Sequence, residues 1–156
     1  MNLILWRHAE AEDYHNDMLR KLTEKGCQQA KMSAEWLRNH LPKENYRVFT
    51  SEAVRTQQTA SYLKQPLTIE PLLNPDTYPQ DLTVLLQQQH ARANTLIWVG
   101  HQPWIGQFCS FLLNGVWLPQ QYWSFKKSAF WWFEISFFNH RPCARLKVVL
   151  HPSILK

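Results

Sequence analysis

No apolar run in this chain is long enough to span a bilayer. Met1 leads straight into a strand-like segment, with no basic-then-apolar leader of the signal-peptide kind. Both absences argue against a membrane or secreted protein, and the expectation is a cytoplasmic location. Cysteine is sparse: Cys27, Cys109 and Cys143 stand far apart and form neither a metal-binding pair nor a disulfide framework. His15, His40, His90, His140 and His151 lack metal-ligand spacing, and no carboxylates cluster as magnesium would need. No metal or other cofactor is therefore expected. Repeats, low-complexity tracts and linkers are also missing, so residues 1–156 read as a single domain, expected to be a monomer. Basic residues outnumber acidic ones, giving a net charge of +5, but they are scattered rather than gathered into a dense run. That argues against a nucleic-acid partner and leaves an anionic substrate as one use of the excess.

What is present is an alternation of strands and helices. Leu3-Ile4-Leu5-Trp6 is a short apolar run of the kind found in a buried parallel strand, and it stops abruptly at Arg7-His8. A polar stretch, Glu10 to Lys21, follows as a loop with a helical turn. Thr23 can cap the next helix, whose Cys27, Ala30, Ala34, Leu37 and Leu41 recur at three- and four-residue steps until Pro42. Tyr46–Thr50 reads as a second strand. Ser51 is placed to cap a helix from Glu52 to about Leu63, with Arg55 about one turn in. Leu67–Glu70 is a short strand, Glu70–Gln80 a proline-rich loop, and Asp81 a cap for a helix to about Gln89. Thr95–Val99 is another apolar run, ending in Gly100-His101-Gln102-Pro103 before a helix over Trp104–Leu113.

Beyond Gly115 the pattern changes. Ala129, Trp131, Phe133, Ile135 and Phe137 alternate along one strand face, and Ala144, Leu146, Val148 and Leu150 along another. Asn139-His140-Arg141-Pro142 connects them, so an antiparallel hairpin at the sheet edge is expected. The fold class is α/β: a three-layer α/β/α domain with a mostly parallel central sheet. The aromatic density is read as core packing.

Ligands of open α/β sheets bind outside the carboxyl ends of the strands. Arg7, His8 and His101 follow strand ends, and Arg55 leans back toward the same edge from its helix if its strand neighbours the first. Read singly, Arg55 is an exposed helix arginine paired with Glu52, and His101 a strand-end histidine with a structural hydrogen bond. Together, two arginines and two histidines make a trap for a phosphoryl group. Guanidinium forks bind its oxygens, one imidazole attacks phosphorus, and the other donates as charge builds.

The motifs Leu5-Trp6-Arg7-His8-Ala9-Glu10-Ala11, Arg20-Lys21-Leu22-Thr23-Glu24-Lys25-Gly26, Thr50-Ser51-Glu52-Ala53-Val54-Arg55-Thr56-Gln57-Gln58-Thr59-Ala60 and Val99-Gly100-His101-Gln102-Pro103 stand in order. With them the chain resembles the histidine phosphatase superfamily, the phosphoglycerate-mutase-like group. It is most similar there to the small phosphohistidine phosphatases of the SixA type. The resemblance spans Leu3 to about Phe108. It implies His8 as nucleophile, with Arg7, Arg55 and His101 as the phosphate pocket and Arg20 extending it. It also implies a metal-independent phosphatase passing through a phosphohistidine intermediate, acting on phosphohistidine of a signalling or phosphotransfer protein. A small phosphate compound, as ester or mutase substrate, and a non-catalytic phosphate-binding module are the other readings.

The chain departs from the family pattern at three places. Ala9 stands for the glycine after the histidine, Lys21 for a proline after Arg20, and Glu52 for a proline after Ser51. Glu52 is expected to bring a carboxylate to the phosphate site. Larger members of the group supply a general acid from an inserted loop that this chain lacks. Glu10, Glu12, Asp13, Asp17 and Glu52 are the carboxylates from which one would have to come.

Overall fold

A computed structural model describes all residues, Met1–Lys156. The strands are β1 (Asn2–Arg7), β2 (Tyr46–Thr50), β3 (Leu67–Ile69), β4 (Thr95–Gly100), β5 (Phe130–Phe138) and β6 (Arg141–Leu150). The helices are α1 (Glu24–His40), α2 (Val54–Ser61), α3 (Asp81–His90) and α4 (Trp104–Asn114), with short 3-10 turns at Asp17–Leu19, Pro71–Leu73 and Pro152–Leu155. One sheet runs in the order β3-β2-β4-β1-β5-β6. β3, β2, β4 and β1 are parallel, and β5 and β6 add an antiparallel hairpin at the β1 side.

Strand alternation assigns the two cores. Leu3 and Leu5 of β1 and Leu96 and Trp98 of β4 pack with Leu82, Leu85 and Leu86 of α3 and Ile105 and Phe108 of α4. Ile4, Trp6, Ile97 and Val99 point the other way, against Ala34 and Leu37 of α1 and Ala60 of α2. The central strands are buried on both faces, which is why they read as unbroken apolar runs.

The sheet order does not meet the condition set for Arg55, that its strand neighbour the first. β1 and β2 are not neighbours, because β4 lies between them. Arg7 pairs in register with Gly100, and Thr50 with Val99, so the three strand ends are brought level through β4. Helix starts also differ. Ser51 lies ahead of α2, where its Oγ accepts from Ala53 N at 3.1 Å, and Ala53 is the N-cap. Gln80, not Asp81, is the N-cap of α3. The Thr23 cap is as expected, its hydroxyl accepting from Gly26 N at 3.0 Å. Gly26 is required here, since a Cβ would stand 2.0 Å from the Glu10 carbonyl oxygen of the loop laid across α1.

The hairpin is tighter than its sequence suggests. Asn139 and Asn139's neighbour His140 both have positive φ, 48° and 63°, as a two-residue turn requires, so Arg141 and Pro142 belong to β6. β5 is an inner strand and buries Phe130 and Trp132 on the α1 side as well as Trp131 and Phe133 on the α4 side. In β6 the register shifts opposite Trp132/Phe133. One extra residue reverses the facing: Ala144 packs on the α4 side, Val148 and Leu150 on the α1 side, and Leu146 stays 38% exposed.

Candidate active site at the carboxyl edge of the sheet

The first shared feature of the predicted residues is the backbone that carries them. His8 N donates to Gly100 O at 3.0 Å, and Ser128 N donates to His8 O at 3.1 Å. The next amide, Ala9 N, donates to Thr59 Oγ1 at 3.0 Å, and that hydroxyl donates to Arg55 O at 2.7 Å. β1, β4, α2 and the segment before β5 thus converge on the His8 peptide. Ser128 is the least visible of these supports. It is fully buried with φ 62°, accepts from the Trp6 indole at 3.2 Å on its Oγ, and receives the Ser33 hydroxyl on its carbonyl at 2.7 Å.

His8, Arg55 and His101 are almost entirely buried and meet one another. Arg55 Nε lies 3.4 Å from His8 Nε2, and an Arg55 terminal nitrogen, Nη2, lies 3.4 Å from His101 Nδ1. The two imidazole rings are 5.2 Å apart between centroids. Hydrogen bonding sets the tautomers. His8 Nδ1 is 2.7 Å from the Ala9 carbonyl, which can only accept, so Nδ1 carries the proton and Nε2 keeps its lone pair. Arg55 can only donate, so His101 Nδ1 is the bare nitrogen, and its Nε2–H donates to Ser51 Oγ at 2.8 Å. Ser51 itself is anchored on Thr56 Oγ1 at 2.8 Å.

Burial disfavours charge on both rings. It is the main reason the His8 pKa falls to about 3; the Ala9 carbonyl opposes it, and Arg55, Arg7 and Arg20 push it further down. His101 falls to about 2, from burial first and then the charges of its neighbours. Both are neutral at neutral pH. Arg7 is half-buried. Its Nη1 donates to Phe125 O at 2.6 Å, while its buried Nε–H has no partner in the protein. An anion in the crevice would satisfy that donor.

Arg55 is not the exposed partner of Glu52. It is 3% exposed, and its ion pair is with Asp17. Glu52 turns outward, where its carboxylate accepts from Asn74 Nδ2 at 3.0 Å, so it does not bring its charge to the crevice. Glu10 accepts from the Thr23 hydroxyl at 2.7 Å, and Glu12 and Asp13 are exposed on the loop. Of the five carboxylates, Asp17 alone contacts a residue of the buried group. Arg20 lies outside it, donating Nε to Glu12 O at 2.8 Å and Nη1 to Asp17 Oδ1 at 3.2 Å. No three His, Cys, Asp or Glu side chains stand together in a way that could hold a metal ion.

The family model for the histidine phosphatase superfamily (branch 1) matches residues 3–77, from β1 to the loop beyond β3. Over that span, 75 of the 156 residues, the chain is similar to the histidine phosphatase superfamily. The matched residues include Arg7, His8, Arg20 and Arg55 and stop short of His101. Among solved structures, the protein histidine phosphatase SixA in complex with tungstate superposes with a TM-score of 0.84 at 22% identity, covering 100% of both chains. A protein assigned as phosphohistidine phosphatase SixA from Nakamurella multipartitia gives 0.78 at 26% identity, covering 97% of this chain and 95% of that one. Phosphoglycerate mutase 2 of Saccharomyces cerevisiae is 35% identical over 82 residues, a match covering 47% of this chain and only 26% of the yeast protein. The fold is SixA-like, with the superfamily's α/β sheet and an antiparallel edge hairpin.

Proposed function

We propose that this chain is a metal-independent phosphatase that transfers a phosphoryl group to His8 and then to water, with phosphohistidine on a protein as its substrate. The observation that carries the reading is the His8 ring: Nδ1–H held on the Ala9 carbonyl, Nε2 unprotonated and facing the Arg55 guanidinium. A neutral imidazole with a fixed lone pair is a competent nucleophile at neutral pH, and the adjacent guanidinium brings the phosphoryl oxygens to it. Arg55 and the free donor of Arg7 neutralise those oxygens. His101, neutral beforehand, takes up a proton from solvent at Nδ1 as the dianion arrives, donates to it, and returns that proton to solvent when phosphate leaves. Arg20 adds positive charge from outside. The SixA structure of like fold is a complex with tungstate, an oxyanion related in shape to phosphate; that supports an oxyanion as ligand.

The preference for a nitrogen–phosphorus bond follows from the carboxylates. A positioned general acid is typically worth about two to four orders of magnitude to an alkoxide leaving group. Asp17 is held ionised by two arginines, and Glu10 and Glu52 are engaged elsewhere. An imidazole leaving group needs that acid far less. The test compares kcat/KM for phosphohistidine, an aryl phosphate and an alkyl phosphate at one pH, with and without chelator. Phosphohistidine should lead the alkyl ester by about two orders of magnitude or more, and chelator should have no effect. An alkyl ester cleaved as fast, or activity lost to chelator and restored by magnesium, would overturn the reading.

A further inference from the structure

Asp17 opens the 3-10 turn Asp17–Leu19, pinned by Asn16, whose Oδ1 accepts from Met18 N at 3.2 Å. Arg55 grips this residue twice, with Nη1 on the backbone carbonyl at 2.7 Å and Nη2 on Oδ2 at 3.1 Å. The second of these nitrogens is the one that also faces His101 Nδ1. Arg20 holds the other oxygen, Oδ1. The carboxylate nevertheless remains 56% exposed, and each of its oxygens has lone-pair capacity left after one guanidinium contact. It is an acceptor separated from His101 by one shared guanidinium nitrogen of Arg55.

We propose that Asp17 is a specificity-determining residue: its carboxylate receives the N–H of a phosphorylated imidazole and keeps that ring protonated until the nitrogen–phosphorus bond breaks. This rests on the phosphohistidine reading above. The same charge disfavours substrates whose leaving group brings no donor, because their oxygens face a carboxylate. Partial burial raises the Asp17 pKa, but Arg55 and then Arg20 outweigh it, so the group is ionised at neutral pH. It therefore serves as an acceptor and not as the missing acid.

The step balances. A phosphorylated imidazole protonated on its other nitrogen carries one net negative charge. His8 Nε2 forms the new bond to phosphorus. The old nitrogen–phosphorus bond breaks with its electron pair staying on the departing ring. That ring leaves as neutral imidazole, its N–H still on Asp17. His8, with Nδ1–H retained, becomes the phosphorylated imidazolium with the same net charge. Water then attacks phosphorus, giving dihydrogen phosphate and neutral His8. No proton has to be supplied to the leaving group, which an alkoxide would demand.

The test is Asp17→Asn, which keeps an oxygen for Arg55 and removes the charge. Phosphohistidine and an aryl phosphate are compared on both proteins, with thermal unfolding as the folding control. Hydrogen bonds to charged groups set the expected size: kcat/KM for phosphohistidine should fall about tenfold to a hundredfold. The aryl phosphate should lose far less, so the ratio of the two kcat/KM values should drop about tenfold or more. Asp17→Glu should recover part of the phosphohistidine activity. If Asp17 merely orients Arg55, both substrates should fall together and their ratio should stay constant; that result would overturn the assignment. Failure of the wild type to cleave phosphohistidine while it cleaves the aryl phosphate is a separate outcome. It would overturn the functional reading itself, and this assignment with it.

Discussion

His8 and His101 lie on the floor of the crevice with 7% and 2% of their surface exposed, each with a ring nitrogen committed to a neutral protein group. Asp17 and Arg20, on the loop after β1, keep 56% and 25% of their side chains in solvent and are held by ion pairs. The floor is organised by burial and by hydrogen bonds from the backbone and from Ser51. The rim is organised by charge at the water boundary. A buried group has its protonation state and direction set by its surroundings, whereas exposed ion pairs contribute little and are screened by salt. Substitutions on the two levels should therefore differ in size, in salt dependence and in what they change.

The largest effect belongs to the floor. His8→Ala should lower kcat by about four orders of magnitude or more, the scale on which removing a nucleophile acts. Orthovanadate should still bind through Arg7, Arg55 and His101. Rapid quench with labelled substrate should trap phosphate on the wild type and none on the variant; equal labelling would remove His8 from its role. Arg55→Ala comes next. It removes the donor that faces both histidines, and a loss of about 10²–10³ in kcat is expected for a donor to developing negative charge. A loss below tenfold would mean that the phosphoryl group is held elsewhere.

The floor should also reveal itself in stability, without any substrate. Free in the unfolded chain, a histidine titrates near 6.5, while folded His8 and His101 resist protonation down to about 3 and about 2. Between those limits the unfolded state binds more protons than the folded one, so stability rises with pH. The contribution is fully present above pH 6.5 and is lost as pH falls from there toward 3. Melting temperature against pH should therefore slope less steeply in His101→Gln than in the wild type between pH 6.5 and 4. Parallel curves would show that His101 titrates normally and is not sealed in the floor.

Much of this architecture was legible in the chain. β1, β2 and β4 are apolar runs that end in polar residues, and buried parallel strands read that way. The group Arg7, His8, Arg55 and His101 was visible because each follows or closely trails a strand end. What escaped was non-local. Nothing in residues 46–50 says that β4 separates β2 from β1. The bulge in β6 depends on pairing across the hairpin, so alternation put Ala144 and Leu150 on one face. Ser128 gives no signal, since its importance lies in a left-handed backbone and in partners as distant as Trp6 and Ser33. The Glu52 position eludes the sequence for a related reason. Helical spacing places it beside Arg55, but α2 begins only at Val54, and Asn74 draws the carboxylate outward.

The smallest expected effect sharpens the boundary between the two levels. Arg20 touches neither histidine; its contacts are the Glu12 carbonyl and the outer oxygen of Asp17. Its influence on the floor is through charge across a solvated distance, and both His8 and His101 feel that charge as their weakest perturbation. Exposed pairs of this kind are worth about 0.2–1 kcal/mol, a factor of roughly 1.4 to 5. Arg20→Ala should thus lower kcat/KM less than tenfold, mostly through KM. Because the Debye length is about 8 Å at physiological ionic strength and about 3 Å at 1 M, added salt should shrink that difference, while the Arg55→Ala deficit persists. Kinetics of both variants at low and high salt check this. A hundredfold, salt-insensitive loss in Arg20→Ala would mean that Arg20 swings in to grip the phosphoryl group directly. The rim would then be part of the floor once substrate is bound.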